Sequence, residues 1–251
     1  MEWSKIKNIL IAALILTNLI LLYLLISDDL GQKQAISPEI LEETLTVLEK
    51  NGISVACDIS LESEPMSVLT LTYDTDNGSF SYPVTEESAA ERSAEFSEAD
   101  AEQTAKDFLR TLSSYDSIQS TQQRTAITPL KENPDTYLVT YRSYYQGRSL
   151  SDNTLLLTVS PAGVTKMEKY WASVEPTGNN KQEIIPVTTA LLKYMTSDAD
   201  IETSASRTIS NVALVYKVDS PYDGNIASDT AFPTWEITTS DGIITYISAY
   251  Q

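Results

Sequence analysis

The stretch from Ile9 to Ile26 reads Ile-Leu-Ile-Ala-Ala-Leu-Ile-Leu-Thr-Asn-Leu-Ile-Leu-Leu-Tyr-Leu-Leu-Ile. Its eighteen residues carry no charge, and a helix needs about 20 mainly apolar residues to cross a bilayer. Lys5 and Lys7 precede the stretch, whereas Asp28 and Asp29 follow it. Because lysine and arginine are enriched on the cytoplasmic side, the sequence predicts a single-pass transmembrane helix with its N-terminus inside the cell.

A cleaved signal peptide is the competing interpretation of this stretch. Such peptides have a shorter apolar core and a small-x-small cleavage site, but the segment from Leu24 to Asp28 contains no Ala-x-Ala pattern. We therefore expect an uncleaved anchor in the cell membrane: a cytoplasmic tail at 1–8, the helix at 9–26, a spacer at 27–36 and an extracellular domain after it.

Asn18 stands near the middle of the predicted membrane helix, beside Thr17. An amide at this depth finds no water, so a hydrogen bond to a neighbouring helix stabilises it. A tolerated polar residue is the alternative. The predicted contacts with a partner helix are Leu14, Thr17, Asn18 and Leu21.

Composition excludes several classes of function. The chain has 35 acidic and 17 basic residues, a net charge of −18, which argues against binding nucleic acid or an anionic lipid surface. It has no histidine and a single cysteine, Cys57, so serine–histidine pairs, cysteine–histidine pairs and zinc sites built on these residues are excluded. Cys57 lies on the apolar side of an alternating segment and is predicted to be inert. We expect no enzyme activity and no cofactor.

Helix and strand signals alternate along the rest of the chain. Helices are predicted to begin at Ser37, which precedes proline, at Ser97, which opens a capping box, and near Val187. Period-two alternation then predicts strands after each helix. These strands lie at about 53–61, 66–73, 80–84, 137–145, 155–159, 164–171, 212–218, 233–239 and 243–250.

Tight turns between these strands favour antiparallel pairing and an α+β class, with helices on one sheet face. The predicted organisation is an N-terminal α+β lobe at 37–95 and a C-terminal α+β region at 96–251, with units at about 96–175 and 184–251. Each unit has the plan of a helix followed by about three antiparallel strands.

Three short motifs have both a functional and a local explanation. Asp74 to Gly78 resembles the start of a calcium loop, but its glycine comes one position early, so a hairpin turn is predicted. Ser4-x-x-Lys7 and Ser151-Asp152-Asn153 match two serine β-lactamase signatures. They are expected on opposite sides of the membrane, and are therefore coincidental. Several tyrosines could line a groove, although on strands they more often cover a sheet face: Tyr137, Tyr141, Tyr144, Tyr145, Tyr170 and Tyr250.

Several segments together resemble the YycI proteins of low-GC Gram-positive bacteria. They are the opening Met1 to Ile9, Thr17 to Leu19, the Ile36-Ser37 helix start, Asp152-Asn153 ahead of the Leu155 strand, the run from Phe232 to Ile237, and Ala249-Tyr250. One departure is Ser149, where an apolar or proline-containing segment is expected.

This resemblance implies an ectodomain of PepSY-like units and a non-enzymatic regulator of the essential YycG (WalK) sensor histidine kinase, which controls cell-wall turnover. It also implies partners: the kinase and a YycH-like protein, contacted through transmembrane helices. The alternative function is a PepSY-like extracytoplasmic inhibitor or chaperone of a cell-wall hydrolase. A wall-polymer enzyme or sugar-binding module is a third class.

Overall fold

The computed structural model describes residues 14, 17–18, 37–61, 63–83, 96–120, 122–130, 132–178, 181–197, 206–219 and 226–250. In this part of the chain, helices pack on eleven strands that pair mostly antiparallel, so the α+β class is confirmed. The helices are α1 (Pro38–Lys50), α2 (Glu98–Leu109), α3 (Tyr115–Ser120) and α4 (Val187–Ser197). The strands are β1 (Ile53–Val55), β2 (Leu69–Tyr73), β3 (Gly78–Ser81), β4 (Gln122–Leu130), β5 (Asn133–Tyr145), β6 (Arg148–Ser160), β7 (Gly163–Tyr170), β8 (Ala172–Pro176), β9 (Arg207–Val218), β10 (Ser228–Thr239) and β11 (Ile244–Ser248).

Local signals determine where the longer helices begin and end. Ser37 precedes α1, and Pro38 occupies its first position, where a missing N–H costs no hydrogen bond. Gly52 follows α1 at φ +78°, a conformation that glycine adopts without steric penalty. Ser97 and Asp100 form the predicted capping box of α2: the Ser97 hydroxyl accepts from the Asp100 N–H, and the Asp100 carboxylate accepts from the Ser97 N–H.

The first sheet has the strand order β4-β5-β6-β7-β3, and all its pairs are antiparallel. Helix α2 packs on it through Ala101, Ala105 and Leu109, which are buried together with residues of β5, β6 and β7. Trp171, fully buried, belongs to the same core.

The second sheet is built around β10, which pairs with β9 along one side. On its other side β10 pairs with β2 near its start and with β11 near its end. Strand β8 extends the sheet beyond β2, and β1 joins β9 in parallel. Helices α1 and α4 supply Leu48, Ala190 and Leu191 to its core, in which Trp235 and Ile237 of β10 are also buried.

The two sheets meet where three segments of the chain pass from one to the other. Strand β6 pairs with β5 and β7 over most of its length, but its Leu150 pairs with Tyr216 of β9. Strand β7 leads into β8 through Trp171, and β2 leads into β3 through the turn at 74–77. This junction makes one continuous eleven-stranded arrangement of the described strands.

The structure corrects the predicted strand pairing. Residues 74–78 were predicted to close a hairpin, but β2 pairs with β8 and β10, whereas β3 pairs with β7. The turn therefore connects two sheets, because turn residues determine a local chain reversal and not the partners of the flanking strands.

The helix-then-strand order is confirmed, but the units do not form three separate sheets. The predicted 53–61 strand ends at Val55, and β4, β8 and α3 were not predicted. The division of the chain at 95/96 stays a prediction.

Candidate functional site

Three of the four predicted transmembrane contact residues lie in the described part of the chain, but most of the stretch 9–26 around them does not. Leu14, Thr17 and Asn18 are helical and exposed, and Leu21 lies outside the described residues. Within the residues that the structure describes, no helix has both the length and the apolar character needed to cross a membrane. The predicted anchor at 9–26 is thus not tested.

A cavity of about 400 Å³ lies on the second sheet, beside the last hairpin. Alternate residues of a strand point to opposite faces, so Trp235 and Ile237 of β10 face the helices and Thr234 faces away from them, into the cavity. The other walls come from β9, β10 and β11 and from the residues that follow β9 and β11. The lining residues are Lys217, Val218, Asp219, Phe232, Thr234, Tyr246, Ser248 and Tyr250.

Aromatic rings form much of the cavity wall. The rings of Phe232 and Tyr250 meet edge to face with their centroids 6.5 Å apart. The Tyr250 hydroxyl donates to the carbonyl oxygen of Met66 at 3.0 Å, which ties the end of the chain to the segment before β2. Rigid rings of this kind offer a large apolar contact area with little entropy to lose on binding.

Lys217 carries the positive charge of this wall. Its ammonium lies 3.2 Å from a carboxylate oxygen of Asp152 and 4.4 Å from the centroid of the Tyr246 ring. Asp152 also accepts a hydrogen bond from the N–H of Val218 at 3.2 Å. The cation is therefore held in place by an ion pair and a cation–π contact.

Beside the cavity, the Ser151 hydroxyl donates to Glu236 at 3.3 Å. Burial raises the pKa of Tyr246, with a smaller contribution from the Glu236 charge, so its phenol stays protonated at neutral pH. A protonated phenol and a paired lysine fit binding better than proton transfer.

A second polar cluster lies at the junction of the sheets. Lys169 is fully buried, and its ammonium forms ion pairs with Asp74, at 2.9 Å, and with Asp76. It also donates to the Ser114 hydroxyl at 2.6 Å. The segment that resembled a calcium loop thus directs two carboxylates at a lysine. Among the described residues, no group of acidic or sulfur ligands could hold a metal ion.

Two asparagines satisfy the backbone where β7 turns into β8. Asn77 donates to the carbonyl oxygen of Trp171 at 2.9 Å and accepts from its N–H at 2.8 Å. Asn153 makes the same pair of bonds with the next residue, Ala172. The Ser151-Asp152-Asn153 motif therefore has three structural contacts, with Glu236, with Lys217 and with Ala172.

The residues proposed for a groove are only partly brought together. Of the tyrosines, Tyr250 lines the cavity, whereas Tyr141 is buried in the core of the first sheet. Tyr144 and Ser149 line a second cavity of about 310 Å³ near Trp235. The sequence did not predict three of the lining residues as site residues: Phe232, Lys217 and Tyr246. Strand alternation indicates which residues share a face, but it does not show which face forms a cavity.

Cys57 is half-buried, and burial raises the pKa of its thiol, which keeps it in the unreactive form.

Comparison with known proteins identifies the family. The sequence profile of the YycI protein family matches residues 32–250, which is most of the chain. The chain belongs to the YycI family. YycI proteins are membrane-anchored, non-catalytic regulators associated with the YycG kinase system, in which YycH is a further member.

Individual curated proteins and solved structures were compared with this member of the YycI family. None of the curated proteins matches the chain in sequence. A solved structure that is similar to it is the crystal structure of an uncharacterized protein from Eubacterium rectale, with 12% sequence identity and a TM-score of 0.42. That match covers 62% of the YycI chain, and the chain spans only 54% of the length of the Eubacterium protein.

Proposed function

We propose that this protein is a non-enzymatic, membrane-anchored regulator of an essential YycG-type sensor histidine kinase that controls cell-wall metabolism. The observation that carries the proposal is the family match over residues 32–250. The regulator acts through contacts of its transmembrane helix and through binding of a partner by its ectodomain. Its partners are the kinase and a YycH-like protein.

The proposal assigns a separate task to each part of the chain. Residues 1–8 form the cytoplasmic tail, 9–26 span the cell membrane once and 27–36 are the spacer. A lobe at 37–95 and a PepSY-like region at 96–251, with units at about 96–175 and 184–251, form the extracellular half. A signal from outside reaches the kinase through the membrane helix.

Regulation requires different affinities for the two states of the kinase. A partner that binds the active and the inactive state equally well shifts nothing. The transmembrane contacts proposed to discriminate between the states are Leu14, Thr17, Asn18 and Leu21. Hydrogen bonds between membrane helices contribute only about 0.6 kcal/mol each, so Asn18 adjusts the interface and apolar packing supplies most of its stability.

An anchor exchange tests the proposal. The full-length protein and a variant in which 9–26 are replaced by an unrelated leucine-rich helix are expressed with the kinase. We expect the kinase to co-purify with the original protein and not with the variant, and the kinase autophosphorylation rate to lose its dependence on the regulator. Equal amounts of variant and original protein in the membrane are the control. Regulation that survives the exchange would contradict transmembrane contact as the mechanism.

A further inference from the structure

The outer edge of β11 presents backbone groups that point away from the second sheet. The Thr239 N–H donates to the carbonyl oxygen of Ile243 at 2.9 Å, and the Ala249 N–H donates to that of Pro233 at 3.0 Å. In an antiparallel pair the direction of the backbone groups alternates from residue to residue. The register between β10 and β11 is continuous between these two bonds. The residues whose N–H and C=O groups point outward are therefore Ile244, Tyr246 and Ser248.

Strand β11 has none of the features that normally protect a sheet edge. Natural edges carry charges, prolines or bulges, or are very short. Of the other described edge strands, β8 contains Glu175 and Pro176, and β4 has Pro129 and a register irregularity beside it. Strands β1 and β3 are three and four residues long. Strand β11 has five residues, Ile-Thr-Tyr-Ile-Ser, with neither charge nor proline, and no described strand lies beyond it.

The surface around this edge is apolar and exposed. Ile243 and Ile244, at the turn into β11, are 58% and 48% exposed. None of the five residues of β11 is buried, whereas most of neighbouring β10 is. A strand added beyond β11 would cover these side chains.

The aromatic cavity lies directly beside the open edge. Tyr246 and Ser248, whose backbone points outward, direct their side chains into its lining. Side chains of a strand paired with β11 would lie next to them on the same face, and aromatic side chains reach the diagonal neighbour on an adjacent strand. Because Ser248 and Thr234 are small, the route from the edge into the cavity is not blocked by a large side chain of either residue.

We propose that β11 is a docking edge at which an extended segment of a basic partner protein adds a strand, and that the segment inserts an aromatic or aliphatic side chain into the adjacent cavity. In this mode of recognition, main-chain hydrogen bonds supply affinity and pockets for alternate side chains supply specificity. The net charge of −18 favours a basic partner and disfavours pairing with a second copy of the chain. The inference rests on the proposed function in one respect, that the ectodomain binds a protein.

Ser248→Pro tests the edge in the full-length protein. The substitution removes an outward N–H and leaves the hydrogen bonds to β10 in place, and proline is tolerated at edges of this kind. Ser248→Ala keeps the N–H and is the matched control. Ile244→Lys adds a protective charge to the edge, and Ile40→Lys adds the same charge at an exposed position of helix α1 as its control. Thermal unfolding of each variant shows that it is folded.

Binding is measured with two probes: the co-expressed YycG-type kinase with its YycH-like partner, and a short synthetic peptide in which threonine and phenylalanine alternate between terminal lysines. We expect Ser248→Pro to weaken capture of at least one probe by about tenfold, as loss of a main-chain hydrogen bond with an unpaired partner group implies. Ile244→Lys should weaken capture of the same probe through its charge at the edge. The two controls should bind as the original protein does.

The outcomes separate this inference from the proposed function. If the kinase is captured by all variants but not after the anchor exchange, the docking edge is overturned and the proposed function stands. If the peptide binds only when the edge is intact and the kinase is never captured, the docking edge stands and the proposed function fails. Absence of any binding overturns both. If Ser248→Pro converts a dimer of the chain into monomers in sedimentation, the occupant of the edge is a second copy of the chain and not a basic partner protein.

Discussion

The side chain of Asn153 is hydrogen-bonded to both backbone groups of Ala172. Its amide nitrogen donates to the carbonyl oxygen at 2.9 Å, and its amide oxygen accepts from the N–H at 3.0 Å. Asn153 is 1% exposed and Ala172 is fully buried. The side chain therefore substitutes for a neighbouring strand at the point where the chain leaves the first sheet for the second.

Asn153→Ala is expected to destabilise the protein by about 2–4 kcal/mol, because it leaves two buried backbone groups without partners and each costs about 1–3 kcal/mol. Urea unfolding followed by circular dichroism measures the change. The exposed Asn211 on β9 provides the control: Asn211→Ala should change stability by less than about 0.5 kcal/mol. Equal effects of the two substitutions would contradict the role assigned to Asn153.

Asp76 is expected to make stability depend on pH in the acid range. Burial would raise the pKa of its carboxyl group, but hydrogen bonds from Lys169 and Ser114 and the Lys169 charge together hold it below the ordinary value. A lowered pKa in the folded state means that the stabilisation is present at neutral pH. It is lost as pH falls below about 4, through the pKa of the folded state.

Asp76→Asn should therefore lower stability at pH 7 and flatten its decline between about pH 4 and pH 2. The measurement is the urea midpoint as a function of pH for both proteins. Asp116→Asn, at the start of α3, is the control for a change of net charge. A decline of the same steepness in Asp76→Asn and in the original protein would show that the Lys169 cluster does not contribute.

Lys169→Met tests the same cluster by removing its positive charge. Removing one partner of a buried ion pair costs about 3–5 kcal/mol because the remaining charge is left uncompensated. We expect Lys169→Met to unfold at markedly lower temperature, and the triple variant with Asp74→Asn and Asp76→Asn to recover part of the loss. Lys166→Met, at a more exposed position of the same strand, should have a small effect. No recovery in the triple variant would mean that packing, and not charge, accounts for the loss.

The β5–β6 turn contains the only positive φ recorded for a described residue other than glycine, at Gln146 (φ 48°), followed by Gly147 (φ 79°). Two consecutive positive values identify the turn type that matches the twist of a two-residue hairpin. Gln146→Gly should stabilise the protein by up to about 1 kcal/mol and Gly147→Ala should destabilise it by a similar amount. The difference in melting temperature between these variants checks the assignment; equal or reversed shifts would contradict it.

Asn18→Leu should weaken co-purification of the kinase about threefold, which corresponds to the roughly 0.6 kcal/mol of one hydrogen bond between membrane helices. The control moves the amide to another side of the helix without changing composition, by combining Asn18→Leu with Leu16→Asn. We expect this double variant to stay as weak as the single one. If moving the amide restores co-purification, its position on the predicted interface is wrong.

Local sequence signals predicted most elements of the fold. The capping box at Ser97 and the proline after Ser37 give α2 and α1 their starts, because the capping hydrogen bonds and the fixed φ of proline act within one turn. Period-two alternation located most of the strands. Strand β4 was missed, since its central segment around Thr125, Ala126 and Thr128 shows little apolar alternation.

The sequence did not predict the cavity or the edge strand beside it. Tyr246 and Phe232 lie on a predicted hairpin, and their alternation shows that they share a face. That the face is open depends on α1 and α4 both packing on the opposite face, and that β11 lies at an edge depends on which strands pair with β10 and β11. The spacing of residues within the hairpin shows neither which face is open nor which strand lies at the edge.

The amino-acid sequence by itself determined the α+β class, the ends of the main helices and an uncharged N-terminal stretch that predicts a membrane anchor. The tertiary structure alone decided that β2 and β3 belong to different sheets, and that Lys169 meets Asp76 across 93 positions of the chain. The physical reason is the range of the interactions. Capping and alternation act between close neighbours in sequence, whereas strand pairing and burial of polar groups depend on the free energy of the whole core.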